Sequence, residues 1–253
     1  MLPDDMAGTG RWLFRWRSYL PVAMLPVAGW EVWDLGAPEL RGGARLAHEL
    51  SCVAVVLAGL VIRMLTVGYA PAGTSERATG AMRAAELNTS GPYSVVRNPL
   101  YLGNILIFVG SILVAGSWRL ALVTALASLL YYERIIAAEE QVLAGTFGDV
   151  YREWAARTPA LLPGGRRWVR PANAFRWGKA LREFYAVFGA ASAMFALKTY
   201  AAVVPAVKGA GLSWLEAAKG LRLDPAWAAA FAATGLLFVV MRSIKKRTRL
   251  LRD

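Results

Sequence analysis

Gly91-Pro92-Tyr93-Ser94-Val95-Val96-Arg97-Asn98-Pro99-Leu100-Tyr101-Leu102-Gly103-Asn104 decides how this chain is read, because a polar connection turns into an apolar helix inside it. Proline disfavours α geometry in the residue before it, so Pro92 and Pro99 keep residues 91–98 extended or turned. Pro99 can open a helix, since the N–H it lacks is one that a first turn leaves unpaired. Residues 100–115 are almost purely apolar. A non-helical backbone carrying Arg97 therefore stands at the mouth of a membrane helix. Its N–H groups and its cation can hold a polar ligand.

Composition points the same way. The chain has 253 residues, 57% of them hydrophobic, and yet a formal net charge of +12. Excess Lys and Arg on so apolar a chain belongs beside membrane segments, which outranks a nucleic-acid partner. No aromatic-basic alternation of an RNA-binding kind is present, so no nucleic acid is expected. Cys52 is the only cysteine and His48 the only histidine. That excludes an intrachain disulfide and a Cys/His metal cluster, so no metal is expected, and Cys52 reads as a small buried apolar residue.

Outward from the motif, the chain resolves into apolar and polar stretches. Residues 1–10 are polar and expected to be mobile. The basic, aromatic run 11–17 suits a helix entry at headgroup level. Apolar segments follow at 18–33, 50–70, 100–115, 120–132, 184–204 and 227–241, and the helix begun at 120 is expected to run on through the charged stretch to 143. Pro21 and Pro26 should kink the first, which is short for a full crossing. No clear small-residue cleavage site ends it, so it is read as a span and not a removed leader. Arg63, inside the second, either snorkels to the headgroups or meets a lipid headgroup in a cavity. Ser117 should cap the helix that starts after the Gly116 turn. Residues 147–149 break that helix, and 150–157 form an amphipathic, interfacial one.

The expected fold is all-α: a polytopic helical membrane protein with about six transmembrane helices. With six, the basic segments 11–17, 77–97, 152–182 and 245–252 share one side, which the positive-inside rule makes cytoplasmic, both termini included. Ala-, Arg- and Gly-rich usage suits a high-GC bacterium, and so its inner (plasma) membrane. The segments 100–115 and 120–143 form a central helical hairpin whose open end brings Arg97 and Glu139–Glu140 to one membrane face.

Each part has a plausible chemistry. Arg97 can fork onto a carboxylate. Tyr93 and Tyr101 offer ring faces and hydroxyls, and Gly103 allows close backbone approach. Glu139 and Glu140 point about 100° apart on a helix, so they cannot act as an acid/base pair on one atom. They are, however, good acceptors for ribose hydroxyls or an exocyclic amine.

The order G-P-Y-x-x-x-R-N-P-x-Y-x-G, an apolar hairpin, then R-x-x-x-x-E-E-x-x-L-x-x-x-F-G-x-x-Y resembles the integral membrane methyltransferases. These are the isoprenylcysteine carboxyl methyltransferase and phospholipid N-methyltransferase superfamily. The resemblance covers about residues 91–163 and not 184–253. It implies a helical fold without a Rossmann domain, with the hairpin forming the site for S-adenosyl-L-methionine. By motif match it implies cofactor binding by Tyr93, Val96, Arg97, Asn98, Tyr101, Leu102, Gly103, Glu139 and Glu140. Arg134, Tyr151 and Arg157 match positions near the reacting end. It also divides the chain into an N-terminal segment with a first membrane helix (1–46), a methyltransferase core (47–163), and a basic linker with two further helices (164–253).

Many carboxyl-methylating members carry His where this chain has Asn98, and the Asn-Pro-x-Tyr-x-Gly form is similar to phospholipid amine methyltransferases. O- and N-methylation of a lipid or lipophilic acceptor both stay open. The reaction needs alignment and exclusion of water more than acid/base help. An anionic acceptor would call for a cation, with Arg157 and Arg63 as candidates; an amine would call for a proton acceptor such as Glu133 or water. The competing enzyme reading is an NADPH-dependent membrane reductase of sterol-reductase-like architecture. The Glu pair argues against it, because a 2′-phosphate calls for cations there. A non-enzymatic membrane adaptor is the third reading.

Overall fold

A computed structural model describes residues 2–17, 20–36, 40–71, 86–165 and 168–248. Among these the structure is helical with no strand: α1 (Leu2–Trp16), α2 (Met24–Leu35), α3 (Gly42–Gly68), α4 (Pro99–Leu113), α5 (Trp118–Arg157), α6 (Trp177–Leu181), α7 (Phe184–Ala210), α8 (Trp214–Lys219) and α9 (Pro225–Arg247). This is a polytopic helical membrane protein, as the apolar pattern requires.

The span count needs correcting. Among the described residues four stretches, not six, are long and apolar enough to cross a bilayer: Gly42–Gly68, Trp118–Arg157, Trp177–Ala210 and Pro225–Arg247. At 1.5 Å per residue, the 12 residues of α2 and the 15 of α4 fall short of a straight crossing. Residues Leu20–Ala23 form a 3₁₀ turn around Pro21, so α2 starts late. The turn at Gly116 and Ser117 stops α4 early. The second segment is longer than expected: α3 starts at Gly42, ahead of the apolar stretch that begins at residue 50. There Arg45 pairs with Glu49 one turn on, at 2.9 Å.

The central contact is α3 against α4, antiparallel and backbone to backbone. A Cβ on Gly103 would stand 2.6 Å from Arg63 Cγ and 2.8 Å from the Gly59 carbonyl oxygen. Lipid supplies no hydrophobic drive between helices, so small residues that let backbones meet hold such a pair. One core lies along this contact: Cys52, Val56, Leu60, Ile107 and Ile112, joined by Ala28 of α2, Leu120 of α5 and Met194 and Leu197 of α7. At the end away from the motif, Glu49 accepts hydrogen bonds from Arg45, Lys198 and Trp227 Nε1, and Arg45 also pairs with Asp224. These bonds tie α3 to α7 and α9.

The helix ends follow their sequence signals. Ser117 accepts from Leu120 N at 3.1 Å and so caps α5. Pro99 opens α4. α5 bends at Gly148, whose φ of 57° and ψ of −130° only glycine adopts without strain. That bend turns residues 149–157 away from the axis of the first part.

One expectation failed outright. Residues 2–10, expected to be mobile, are helical: together with most of the basic, aromatic run they form α1, which lies along the part of α5 carrying the Glu pair. A Cβ on Gly10 would be 1.9 Å from the Arg134 carbonyl oxygen, so the two backbones touch. Leu13 and Phe14 pack onto the second core, Ile105, Tyr132, Ile135 and Ile136.

Candidate functional site

The hairpin of α4 and α5 does bring the two halves of the motif together. Residues 91–94 form one 3₁₀ turn, held from behind by the segment that follows α5. Gly91 N donates to the Val169 carbonyl at 2.9 Å, and Ser94 Oγ accepts from Val169 N at 3.0 Å. Arg97 N donates to the Pro159 carbonyl at 2.8 Å, and the Asn98 amide nitrogens, backbone and side chain, both reach the Ala160 carbonyl. The backbone that the two prolines keep out of helix is thus paired with another irregular strand of chain. Tyr93 sits in this turn, where burial, helped by the charge of Glu139, raises its hydroxyl to about 12.

Arg97 uses its whole fork. Nε and Nη2 donate to the two oxygens of Glu140 at 2.7 and 3.1 Å, and Nη1 donates to the carbonyls of Ala155 and Thr158, each at 2.7 Å. A single guanidinium therefore joins the motif loop, the first part of α5 and its last turn. Glu139 turns the other way: the Tyr101 hydroxyl donates to it at 2.8 Å. Tyr101 stacks on Tyr132 with ring centres 4.7 Å apart. Tyr132, 1% exposed, accepts at its hydroxyl from the Asn104 amide at 3.0 Å.

Tyr151 and Trp154 face inward from the helix after the bend. Their rings meet edge to face at 5.7 Å. The Tyr151 hydroxyl lies near Arg97 and Glu140 without a well-formed hydrogen bond, and Trp154 Nε1 has no partner among the described residues. Two buried, unspent donors beside an ion pair are uncommon in a finished structure, and such groups suit a polar ligand.

Of the residues expected to bind a cofactor, Tyr93, Arg97, Tyr101, Glu139 and Glu140 form this one constellation. Val96 is buried beneath the loop, and Gly103 fills its role as the close-approach point of α4 on α3. Leu102 lies on the first turn of α4 and takes no part in the polar contacts. Of the residues expected near the reacting end, only Tyr151 joins the constellation. Arg157 is exposed, its Nε donating to the Glu153 carbonyl at 3.1 Å. Arg134 is half-buried, and its backbone faces Gly10. Arg63 neither snorkels nor stands free: its Nε donates to Glu183 at 2.7 Å, and Nη1 donates to Asn104.

Sequence reading missed Arg17, Asn104, Tyr132, Trp154 and Glu183. Arg17, at the end of α1, stacks 3.7 Å over Phe14 and lies close enough to Glu139 and Tyr101 for its charge to act on them. Glu183 had a signal: a carboxylate and a cation, Arg63, buried at the same level of two apolar segments are expected to pair.

Residues 48–150 match the family model described as phospholipid methyltransferase. The match starts within α3 and stops just past the bend in α5. Among curated proteins, the chain is 40% identical over 81 residues to the nickel-cobalt-cadmium resistance protein NccN of Alcaligenes xylosoxydans xylosoxydans, covering 32% of this chain and 38% of that protein. It is 43% identical over 77 residues to the cobalt-zinc-cadmium resistance protein CzcN of Cupriavidus metallidurans, covering 30% and 35%. It is 30% identical over 77 residues to the protein-S-isoprenylcysteine O-methyltransferase of Schizosaccharomyces pombe, covering 30% and 33%. The aligned segments span little more than a third of the length of these relatives. No solved structure matches. The segment 48–150 therefore groups with the integral membrane methyltransferases.

Proposed function

We propose that this chain transfers a methyl group from S-adenosyl-L-methionine to an oxygen or nitrogen of a lipid or lipophilic acceptor, at the cytoplasmic face of a bacterial inner membrane. The observation that carries the reading is the joining of Arg97–Glu140 with Tyr101–Glu139 at the open end of the α4–α5 hairpin, inside the segment that matches the family model.

The residues present fit such a cofactor. One oxygen of Glu139 is taken by Tyr101, which leaves acceptor capacity for ribose hydroxyls or an adenine amine. Tyr151 and Trp154 supply buried donors. Tyr93, Val96, Asn98, Leu102 and Gly103 would form the wall on the motif side. When bound, the cofactor supplies a methyl group on a sulfonium, which needs a nucleophile in line and little proton transfer. The chain's share of that work is placement. Arg97 fixes Glu140 and the last turn of α5, Tyr101 fixes Glu139, and Tyr93 remains a neutral phenol at physiological pH. Arg157 and Arg134 lie nearby on α5, and would serve an acceptor that carries negative charge.

Lipid is the favoured acceptor class because the site lies at the end of membrane helices, beside the amphipathic turn 149–157. Small polar acceptors should react far more slowly than lipid-borne ones. The deciding experiment feeds methyl-labelled methionine to cells with and without the chain and compares their lipids by mass spectrometry. One labelled methyl on one lipid class supports the proposal and names the acceptor. S-adenosylhomocysteine should also raise the melting temperature of the purified protein, by roughly 2.7 kcal/mol of stability at a hundredfold excess over Kd, whereas NADPH should not. Stabilisation by NADPH alone, persisting in high salt, would support the reductase instead.

A further inference from the structure

The helices beyond residue 150 lie outside the family match, yet one of them reaches into the site. Glu183 immediately precedes α7 and is 6% exposed. Its carboxylate accepts from Arg63 Nε at 2.7 Å, with the two side chains 7% and 17% exposed. Arg63 Nη1 donates to Asn104 Oδ1, and Asn104 Nδ2 donates to the Tyr132 hydroxyl at 3.0 Å. Tyr132 stacks on Tyr101, which holds Glu139 at 2.8 Å. An amide has one acceptor end and one donor end. With Arg63 on the acceptor end of Asn104, its donor end is obliged to face Tyr132. Gly103 lets Arg63 lie flat against α4, which makes this geometry possible.

We infer that Glu183 is a positioning residue for the candidate site, acting through Arg63, Asn104 and Tyr132 on Tyr101 and Glu139, so that α7 completes a site whose recognisable motifs lie elsewhere. The inference rests on the methyltransferase reading for what the site binds, but not for the network itself. The ion pair does more than stabilise. A buried pair can often be replaced by apolar residues at little cost in stability, whereas removing one partner strands a charge. Stability and positioning therefore come apart in a double variant.

The test uses the full chain in detergent or nanodiscs, with Arg63→Met, Glu183→Met, the double variant, and Asn104→Leu in the wild-type and double-variant backgrounds. Each single variant should melt lower than the double variant, because each leaves one buried charge unpaired. The double variant should regain most of the wild-type melting temperature and yet bind S-adenosylhomocysteine about tenfold more weakly, since Asn104 is no longer oriented. Wild-type affinity in the double variant would overturn the inference. The readout without ligand is Asn104→Leu: it should cost clearly less melting temperature in the double-variant background than in wild type. Equal, additive losses would also overturn it. Non-additive losses in a protein that binds no S-adenosylhomocysteine would sink the methyltransferase reading and leave the network standing.

Discussion

Arg97→Met offers the sharpest trial of how the site is built. Arg97 makes four contacts, two to Glu140 and two to the carbonyls of Ala155 and Thr158, and each is a charge-assisted bond between 2.7 and 3.1 Å. Bonds to a charged group contribute about 1.5–3 kcal/mol each, and stranding one member of a buried pair costs about 3–5 kcal/mol. The side chains of Arg97 and Glu140 are 17% and 24% exposed, so water softens the loss and the lower figure applies, about 3 kcal/mol. At about 2–4 °C per kcal/mol for a chain of this size, the melting temperature should fall by roughly 6–12 °C. The assay is at hand in the molecule: Cys52 is the sole cysteine and 0% exposed, so a thiol-reactive dye reports unfolding. Glu140→Gln removes the counter-charge but keeps one acceptor oxygen and leaves Arg97 its two carbonyls, so it should lose about 2 kcal/mol, less than Arg97→Met. If Arg97→Met melts within about 2 °C of wild type and has lost only S-adenosylhomocysteine, Arg97 is a ligand contact and the clamp described above is wrong.

Three further outcomes are expected. Gly103→Ala would place a Cβ 2.6 Å from Arg63 Cγ and 2.8 Å from the Gly59 carbonyl oxygen, and should destabilise by about 1–3 kcal/mol in the same melting assay; an unchanged melting point would mean that α3 and α4 part easily. Because four of the five N–H groups of Arg97 are spent on Glu140 and two carbonyls, a second cation would serve the amino-acid carboxylate of the proposed cofactor, and Arg17, whose charge acts on Glu139, is the candidate. Arg17→Gln should weaken S-adenosylhomocysteine about tenfold and leave 5′-methylthioadenosine, which lacks that carboxylate, unaffected; equal weakening of both would reduce Arg17 to a structural role. Single cysteines at Ser117, Thr158 and Ser213 report topology against the buried Cys52 background: α5 separates the first two and α7 the last two, so Ser117 and Ser213 should be labelled from the periplasmic side and Thr158 should not; outside labelling at Thr158 would invert the orientation drawn from the basic segments.

Local rules carried most of the fold. Apolar runs, the Ser117 cap, Pro99 at a helix start and the Gly148 break each depend on residues within one or two turns, and each stands in the structure where expected. Errors arose where distant partners rewrite the local preference. Residues 2–10 look polar as a string, yet Ala7 and Gly10 continue the helical spacing of Leu13 and Phe14 and find a mate in α5. Residues 42–49 look like a loop, yet Lys198 and Trp227 satisfy Glu49 there, so the helix can continue among polar groups. Length misled in the other direction. Counting apolar runs makes α2 and α4 equal to the rest, but proline and the Gly116 turn cut their helices to less than a membrane's thickness.

The site was legible as a neighbourhood and not as a set of contacts, and the reason is chemical. A motif read along the chain places Arg97 and Glu140 on one face, and both look like hands held out to a ligand. It does not say that a guanidinium and a carboxylate brought together, half-buried, at the open end of a hairpin will take each other first, as the 2.7 Å contact between them shows. Once they do, the groups best placed to meet a ligand are Tyr151 and Trp154, whose buried donors make no hydrogen bond among the described residues, and Glu139, which Tyr101 engages at one oxygen. The charge left at the Glu pair follows from the same exchange. Arg97 neutralises Glu140, so Glu139 alone bears on any phosphate that approaches. Under the proposed methyltransferase function, a preference for a ribose with free hydroxyls over one bearing a 2′-phosphate would therefore rest on Glu139. Glu139→Gln should narrow the gap between S-adenosylhomocysteine and NADPH from both sides, whereas Glu140→Gln should act chiefly by loosening Arg97.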